Sequence, residues 1–90
     1  MSEHAAIEEL RARLVAEDEL LVAAFNRRLV LVAELKRVKE KLGVDILDPG
    51  REEWLRGHLA QTSQGPLSAD GVDELVTRLL DLTKREVGGF

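Results

Sequence analysis

The feature that most constrains the fold of this chain is a long stretch of helix-forming residues without interruption. No proline occurs before Pro49 and no glycine before Gly43. From about Ala5 to Leu42 the chain consists mainly of Ala, Leu, Val, Glu, Arg and Lys, most of which favour helix. The stretch predicts one helix of about 38 residues, about 57 Å long at 1.5 Å per residue. Gly43 is expected to end it in a left-handed conformation.

Two shorter helices are predicted after an extended link at residues 44–47. Asp48 precedes a proline and is the expected N-cap of a second helix, from about 49 to 61. Ser68 is the expected N-cap of a third helix, from about 69 to 86, which the pair Gly88-Gly89 ends. No alternating strand pattern or repeat occurs. The sequence therefore predicts an all-α chain with one very long and two shorter helices.

Length and composition limit the classes of function. Ninety residues make one domain, expected to span 1–90 with flexible ends at 1–6 and 88–90. The absence of cysteine excludes disulfides and thiolate metal sites. A net charge of −4 argues against a nucleic-acid binder. No apolar run approaches a membrane span, and the first residues lack the pattern of a signal peptide. We expect a cytoplasmic protein without nucleic-acid or membrane partners.

An apolar seam runs along the long helix and requires a partner. Its members advance mostly by threes and fours and are Ile7, Leu10, Leu14, Leu21, Phe25, Val32 and Leu35. A helix of this length cannot bury the seam against two short helices alone. An antiparallel copy of the same helix is the natural partner, so the sequence predicts an intertwined homodimeric helical bundle.

Cations interrupt this seam. Arg28 and Lys39 occupy seam positions, and Arg11 lies beside it. Buried cations require anionic partners, and the periodicity by itself favours carboxylates such as Asp18 or Glu34 over a bound ligand. Arg11 is about 25 Å from Arg28 along the helix, so one small ligand cannot touch both in one chain. In an antiparallel dimer, Arg11 of one subunit could approach Arg28 of the other.

The two shorter helices add a few polar candidates. Asp48, Arg51 and Glu52 place an acid, a cation and an acid at a helix N-terminus, an end that favours anions. The third helix has an apolar face with one hydroxyl in it, and its members are Val72, Leu75, Val76, Leu79, Leu80 and Thr83. Most such threonines bond a backbone carbonyl of the preceding turn. Lys84 favours the helix C-terminus and needs no other role. In the second helix, Trp54 is expected in the core with Leu55 and Leu59. No metal, nucleotide or covalent-serine motif occurs.

Taken together, these residues resemble the small all-helical chorismate mutase family. The matching elements follow one another in a distinctive order from about Ile7 to Val87: Leu10-Arg11 with Asp18 seven residues on, Asn26-Arg27-Arg28, Lys36-Arg37-Val38-Lys39, the run Leu47-Asp48-Pro49-Gly50-Arg51-Glu52, and a last amphipathic helix. The resemblance implies an isomerase of the shikimate pathway that converts chorismate to prephenate for aromatic amino acid biosynthesis. It also implies an intertwined homodimer with shared active sites and no cofactor.

The resemblance assigns roles to individual residues. It implies that Arg28, Arg51 and the partner's Arg11 hold the two substrate carboxylates. Lys39 would donate to the ether oxygen. Glu52 and the backbone near Asp48 would take the ring hydroxyl. Thr83 occupies the position where the family usually has a small hydroxyl residue near a carboxylate.

One position departs from the family pattern. Many members have a glutamine, a second donor to the ether oxygen, where this chain has Val87, which cannot donate a hydrogen bond. The departure leaves three expectations open: modest activity, a site completed by a C-terminal residue or by an activating partner enzyme of the shikimate pathway, or a different substrate. The alternative functions are an aminodeoxychorismate mutase, an isochorismate-pyruvate lyase and a non-catalytic helical dimerisation module.

Overall fold

The computed structural model describes residues 2–90, and their regular structure consists of three α-helices: α1 (Glu3–Leu42), α2 (Pro49–Thr62) and α3 (Ala69–Val87). No strand occurs in this part of the chain. The predicted all-α class with one long and two shorter helices is confirmed. α1 begins slightly earlier than expected, whereas the ends of α2 and α3 lie one residue beyond their predicted positions. The flexibility of the chain ends stays a prediction.

Short polar residues and glycines set the helix boundaries, as the sequence predicted. The Asp48 carboxylate accepts the backbone N–H of Arg51 at 3.0 Å. The Ser68 hydroxyl accepts that of Gly71, also at 3.0 Å. Both caps satisfy amides that the helix itself leaves without partners. Gly43 ends α1 with a φ of 67°, a conformation that glycine adopts without steric cost.

Tertiary contacts divide the chain into an N-terminal unit, up to Leu31, and a C-terminal unit, Val32–Phe90. In the C-terminal unit α2 packs against α3 around a small core. The buried apolar residues are Val72, Val76 and Leu80, with Leu55, Leu59 and Leu79 packed against them. The predicted apolar face of α3 is thus confirmed, except that Leu75 is 52% exposed. Between the helices, Arg56 donates to the Asp73 carboxylate at 3.0 Å and to the Thr77 hydroxyl at 2.7 Å.

In the N-terminal unit, most of the large apolar side chains of α1 are exposed. α1 has no fully buried residue. Seam residues Ile7, Leu10, Leu14 and Leu21 are between 45% and 64% exposed. Apolar surface of this extent is unfavourable in water, so the seam needs a covering surface. Despite this apolar surface, no helix among residues 2–90 combines the length and hydropathy required to cross a membrane.

Candidate active site

Lys39 lies in the last turn of α1 and is held by the link that follows it. Its ammonium donates to the backbone carbonyl of Ile46 at 3.1 Å, and the bond is partly buried. An ammonium has three donors, so this bond uses one of them. The acceptor is a neutral carbonyl and leaves the positive charge uncompensated. Since Ile46 is two residues before Asp48, the bond ties Lys39 to the segment that leads into α2.

The start of α2 presents the three residues that the sequence singled out. The Asp48 side chain is used as the cap, and its backbone carbonyl accepts the N–H of Glu52 at 3.1 Å. Arg51 is exposed, and its guanidinium lies over the ring of Trp54, 3.9 Å from the centroid. Within residues 2–90 the guanidinium forms no ion pair. Arg51 is therefore a cation that an anionic ligand can still engage.

Glu52 forms a second ion pair between α2 and α3. Its carboxylate pairs with the Lys84 ammonium at 2.7 Å, and the two side chains are 30% and 34% exposed. The interpretation that Lys84 serves only the helix C-terminus is therefore wrong, because this lysine also pairs with a candidate site residue. The pair joins two helices across tertiary space, so no spacing within the sequence could indicate it. One carboxylate oxygen of Glu52 is engaged, and a carboxylate has a second oxygen to accept a bond.

Thr83 lies next to Lys84 on α3 and faces the core. It is 4% exposed, and its hydroxyl donates to the Leu79 carbonyl at 2.6 Å. The predicted bond to the preceding turn is therefore confirmed. A hydroxyl carries a single proton, so donation to a ligand would require its rotation away from Leu79. Val87 ends α3 one turn later, half-buried and without a side-chain donor.

Arg11 and Arg28 belong to the N-terminal unit, in different surroundings. Partial burial lowers the pKa of the Arg28 guanidinium by desolvation. An arginine nevertheless stays protonated at neutral pH, so Arg28 is a half-buried cation. Arg11 pairs with Glu8 at 2.9 Å, with both side chains about 70% exposed. Such a surface pair contributes little stability, so Arg11 can exchange this partner at low cost.

Trp54 lies outside the core, so the prediction that it is a core residue is wrong. Leu55 and Leu59 pack against the core as predicted, but Trp54 is 48% exposed. Its ring stacks on that of His58, with centroids 4.6 Å apart and planes inclined by 10°. Position 54 points away from the side of α2 that carries Leu55 and Leu59, because successive residues are rotated by about 100° around a helix.

Comparisons with known proteins show the family to which the chain belongs. Residues 10–87 match the family model described as chorismate mutase type II. The chain belongs to the chorismate mutase type II family. Its match to the T-protein of Haemophilus influenzae has 30% identity over 81 residues and covers 89% of this chain but 22% of that protein. The chain thus spans about a fifth of the length of this relative.

Two solved chorismate mutase structures from Thermus thermophilus share the fold. Form II superposes with a TM-score of 0.86 at 23% identity, covering 91% of this chain and 93% of that one. Form I gives a TM-score of 0.84 at 24% identity, with 87% and 98% covered. The likeness to these chorismate mutases establishes the helical fold. The predicted family is confirmed.

Proposed function

We propose that the chain catalyses the intramolecular rearrangement of chorismate to prephenate by electrostatic stabilisation and restriction of the substrate's conformation. The observation that carries the proposal is the tie between Lys39 and the segment that starts α2. The bond connects Lys39 to the link that leads, two residues later, into Asp48 and then Arg51 and Glu52. Family membership over residues 10–87 supports reading these residues as a substrate site.

The chemistry of the rearrangement suits such a site. A C–O bond breaks as a C–C bond forms, and negative charge develops on the ether oxygen. A fixed ammonium lowers the barrier because it stabilises this charge without having to reorganise. We assign that role to Lys39. Glu52 and the backbone near Asp48 would accept the ring hydroxyl. The reaction needs no acid, base or nucleophile. We propose that it also uses no cofactor.

The substrate is a dianion, and arginines are suited to carboxylates because they can donate two parallel hydrogen bonds. We assign its two carboxylates to Arg28, Arg51 and Arg11 of the partner subunit, with Thr83 nearby. These clamps would hold the compact conformer in which the reacting carbons lie close together. The exposed seam of α1 supports the second copy that this assignment requires. We further place the homodimer in the cytoplasm.

A direct assay tests the proposal. The purified chain should consume chorismate, measured as the loss of its ultraviolet absorbance, and prephenate should accumulate in equal amount. Isochorismate and aminodeoxychorismate, run in parallel, distinguish the related mutase and lyase activities on the same scaffold. If none of the three is turned over, even with a shikimate-pathway enzyme added as the candidate activator, the chain is not this enzyme.

Replacing Val87 by glutamine should raise kcat. Val87 is half-buried at the end of α3 and offers no donor, whereas glutamine adds an N–H that can reach the ether oxygen. Removal of a comparable donor lowers kcat by about 10²–10³. We expect a smaller gain, roughly tenfold, because the surroundings of position 87 are not shaped to orient a glutamine. Val87→Leu is the matched control and should leave kcat unchanged. An equal kcat in Val87→Gln and the unsubstituted chain would mean that this position does not face the ether oxygen.

A further inference from the structure

Three side chains of α2 form a continuous stack, here called the Trp54 stack. Arg51, Trp54 and His58 are spaced by three and four residues, so they share one face of the helix. The guanidinium of Arg51 lies 3.9 Å from the centroid of the Trp54 ring. The imidazole of His58 stacks nearly parallel on the same ring system, 4.6 Å away. The stack lies outside the small core, because all three residues are exposed.

The contact restrains Arg51 without using its hydrogen-bonding groups. A guanidinium that stacks on an aromatic ring presents its flat face, and its N–H donors point outward in its plane. These in-plane donors are the ones that grip a carboxylate. An unrestrained arginine loses much rotamer freedom when it binds, and this loss weakens binding. A preformed stack reduces that loss before any ligand arrives.

Among residues 2–90, the Trp54 ring is the contact that supports the tip of the Arg51 side chain. Glu52 and Arg56 on the adjoining side of α2 are engaged with Lys84 and Asp73 of α3. The backbone N–H of Arg51 is held by the Asp48 cap, so the base of the side chain is in a defined position. With the base fixed by the cap and the tip supported by the ring, the direction of the arginine is constrained at both ends.

We propose that Trp54 is a positioning residue that holds the Arg51 guanidinium ready for a carboxylate of the substrate, with His58 supporting the ring from the stack. The inference rests on the proposed function, since it assumes a dicarboxylate substrate. That carboxylate keeps its charge throughout the rearrangement. The loss of Trp54 leaves the Arg51 guanidinium in the site to hold the compact conformer and raises only the entropic cost of binding that carboxylate. KM therefore rises and kcat changes little.

Kinetics of three variants test the role. Trp54→Leu keeps an apolar side chain but removes the π face, and it should raise KM about two- to fivefold, the factor that corresponds to an exposed cation–π contact. Trp54→Phe keeps a ring and should restore most of the affinity. Leu75→Ala, which truncates an equally exposed apolar residue of α3, is the matched control and should not change KM.

The decisive comparison uses a chain without the arginine. If Trp54 acts through Arg51, then Trp54→Leu has no further effect on KM in an Arg51→Ala background. An equal rise in KM in both backgrounds, or no rise in the unsubstituted one, overturns the positioning role while the mutase activity stands. Absence of turnover by the unsubstituted chain overturns the proposed function instead, and with it the role of Trp54 in binding chorismate.

A second readout is independent of activity. Trp54 is the only tryptophan of the chain, so intrinsic fluorescence reports on this ring alone. Arg51→Ala and His58→Leu should each change the intensity or wavelength of the emission. Arg78→Ala, which removes an exposed arginine of α3 that pairs with Glu74, should not. If neither Arg51→Ala nor His58→Leu changes the emission spectrum, the stack does not exist in solution.

Discussion

Replacing Lys39 by alanine is expected to abolish turnover while the helices remain folded. The proposed mechanism requires a fixed positive charge at the ether oxygen, and this side chain supplies it. Loss of one preorganised donor at a developing oxyanion lowers kcat by about 10²–10³. The structural cost is small, because the variant loses one hydrogen bond to the Ile46 carbonyl, worth about 1 kcal/mol. Steady-state kinetics and thermal unfolding followed by circular dichroism measure the two quantities separately.

Lys41→Ala is the matched control for this variant. Lys41 lies in the same last turn of α1, is exposed and has no bond to the link. Both variants remove one positive charge from the same helix end, so a general electrostatic effect on the substrate would lower both activities alike. The mechanism assigned here would be wrong if Lys39→Ala retained its kcat, or if Lys41→Ala lost as much.

Mixing two inactive variants should restore activity if each site draws on both chains. Arg11→Ala and Lys39→Ala are each expected to be nearly inactive as pure dimers. In a hybrid dimer with composite sites, one site carries both substitutions and the other carries neither. Random exchange of subunits makes about half of the dimers hybrid, so about one quarter of the unsubstituted activity should return. The two purified variants are unfolded together, refolded and assayed with chorismate.

The control for this experiment combines two substitutions from the same side of the site. Lys39 and Arg51 both belong to the C-terminal unit of one chain. A hybrid of Lys39→Ala and Arg51→Ala therefore has one damaged residue in each site, and mixing should restore nothing. Sedimentation should give twice the 10.0 kDa chain mass. A monomer with full activity, or recovery equal in both mixtures, would contradict shared sites.

Much of the fold was determined by short-range information in the sequence. The absence of glycine and proline before Gly43 allows α1 to run unbroken, because every residue there has a backbone N–H and none has the conformational freedom of glycine. Asp48 and Ser68 act as N-caps through bonds to amides three residues away. The buried face of α3 follows from helical periodicity alone. These features depend on residues within one or two turns, so the pattern was sufficient to predict them.

The candidate site was predictable only in part. The order of cations and acids from Arg11 to Glu52 indicated the correct family, because the spacing typical of the family is a property of the linear pattern. The anion site stays a prediction. The same pattern could not show what each charged group contacts. It left Lys39 open to a carboxylate partner, whereas within residues 2–90 the ammonium bonds the neutral Ile46 carbonyl.

Only the tertiary structure decided the pairing of Glu52 with Lys84 and the position of Trp54. The ion pair depends on the packing of α2 on α3, which brings together residues that are far apart in the chain. Trp54 has the size and apolarity of a core residue, but the core beneath α2 is filled by Leu55 and Leu59. Trp54 precedes Leu55, is rotated from it by about 100° around the helix, and therefore lies outside the contact between α2 and the core. The sequence alone determined which side chains each helix carries, whereas the way the helices pack decided which of those side chains meet.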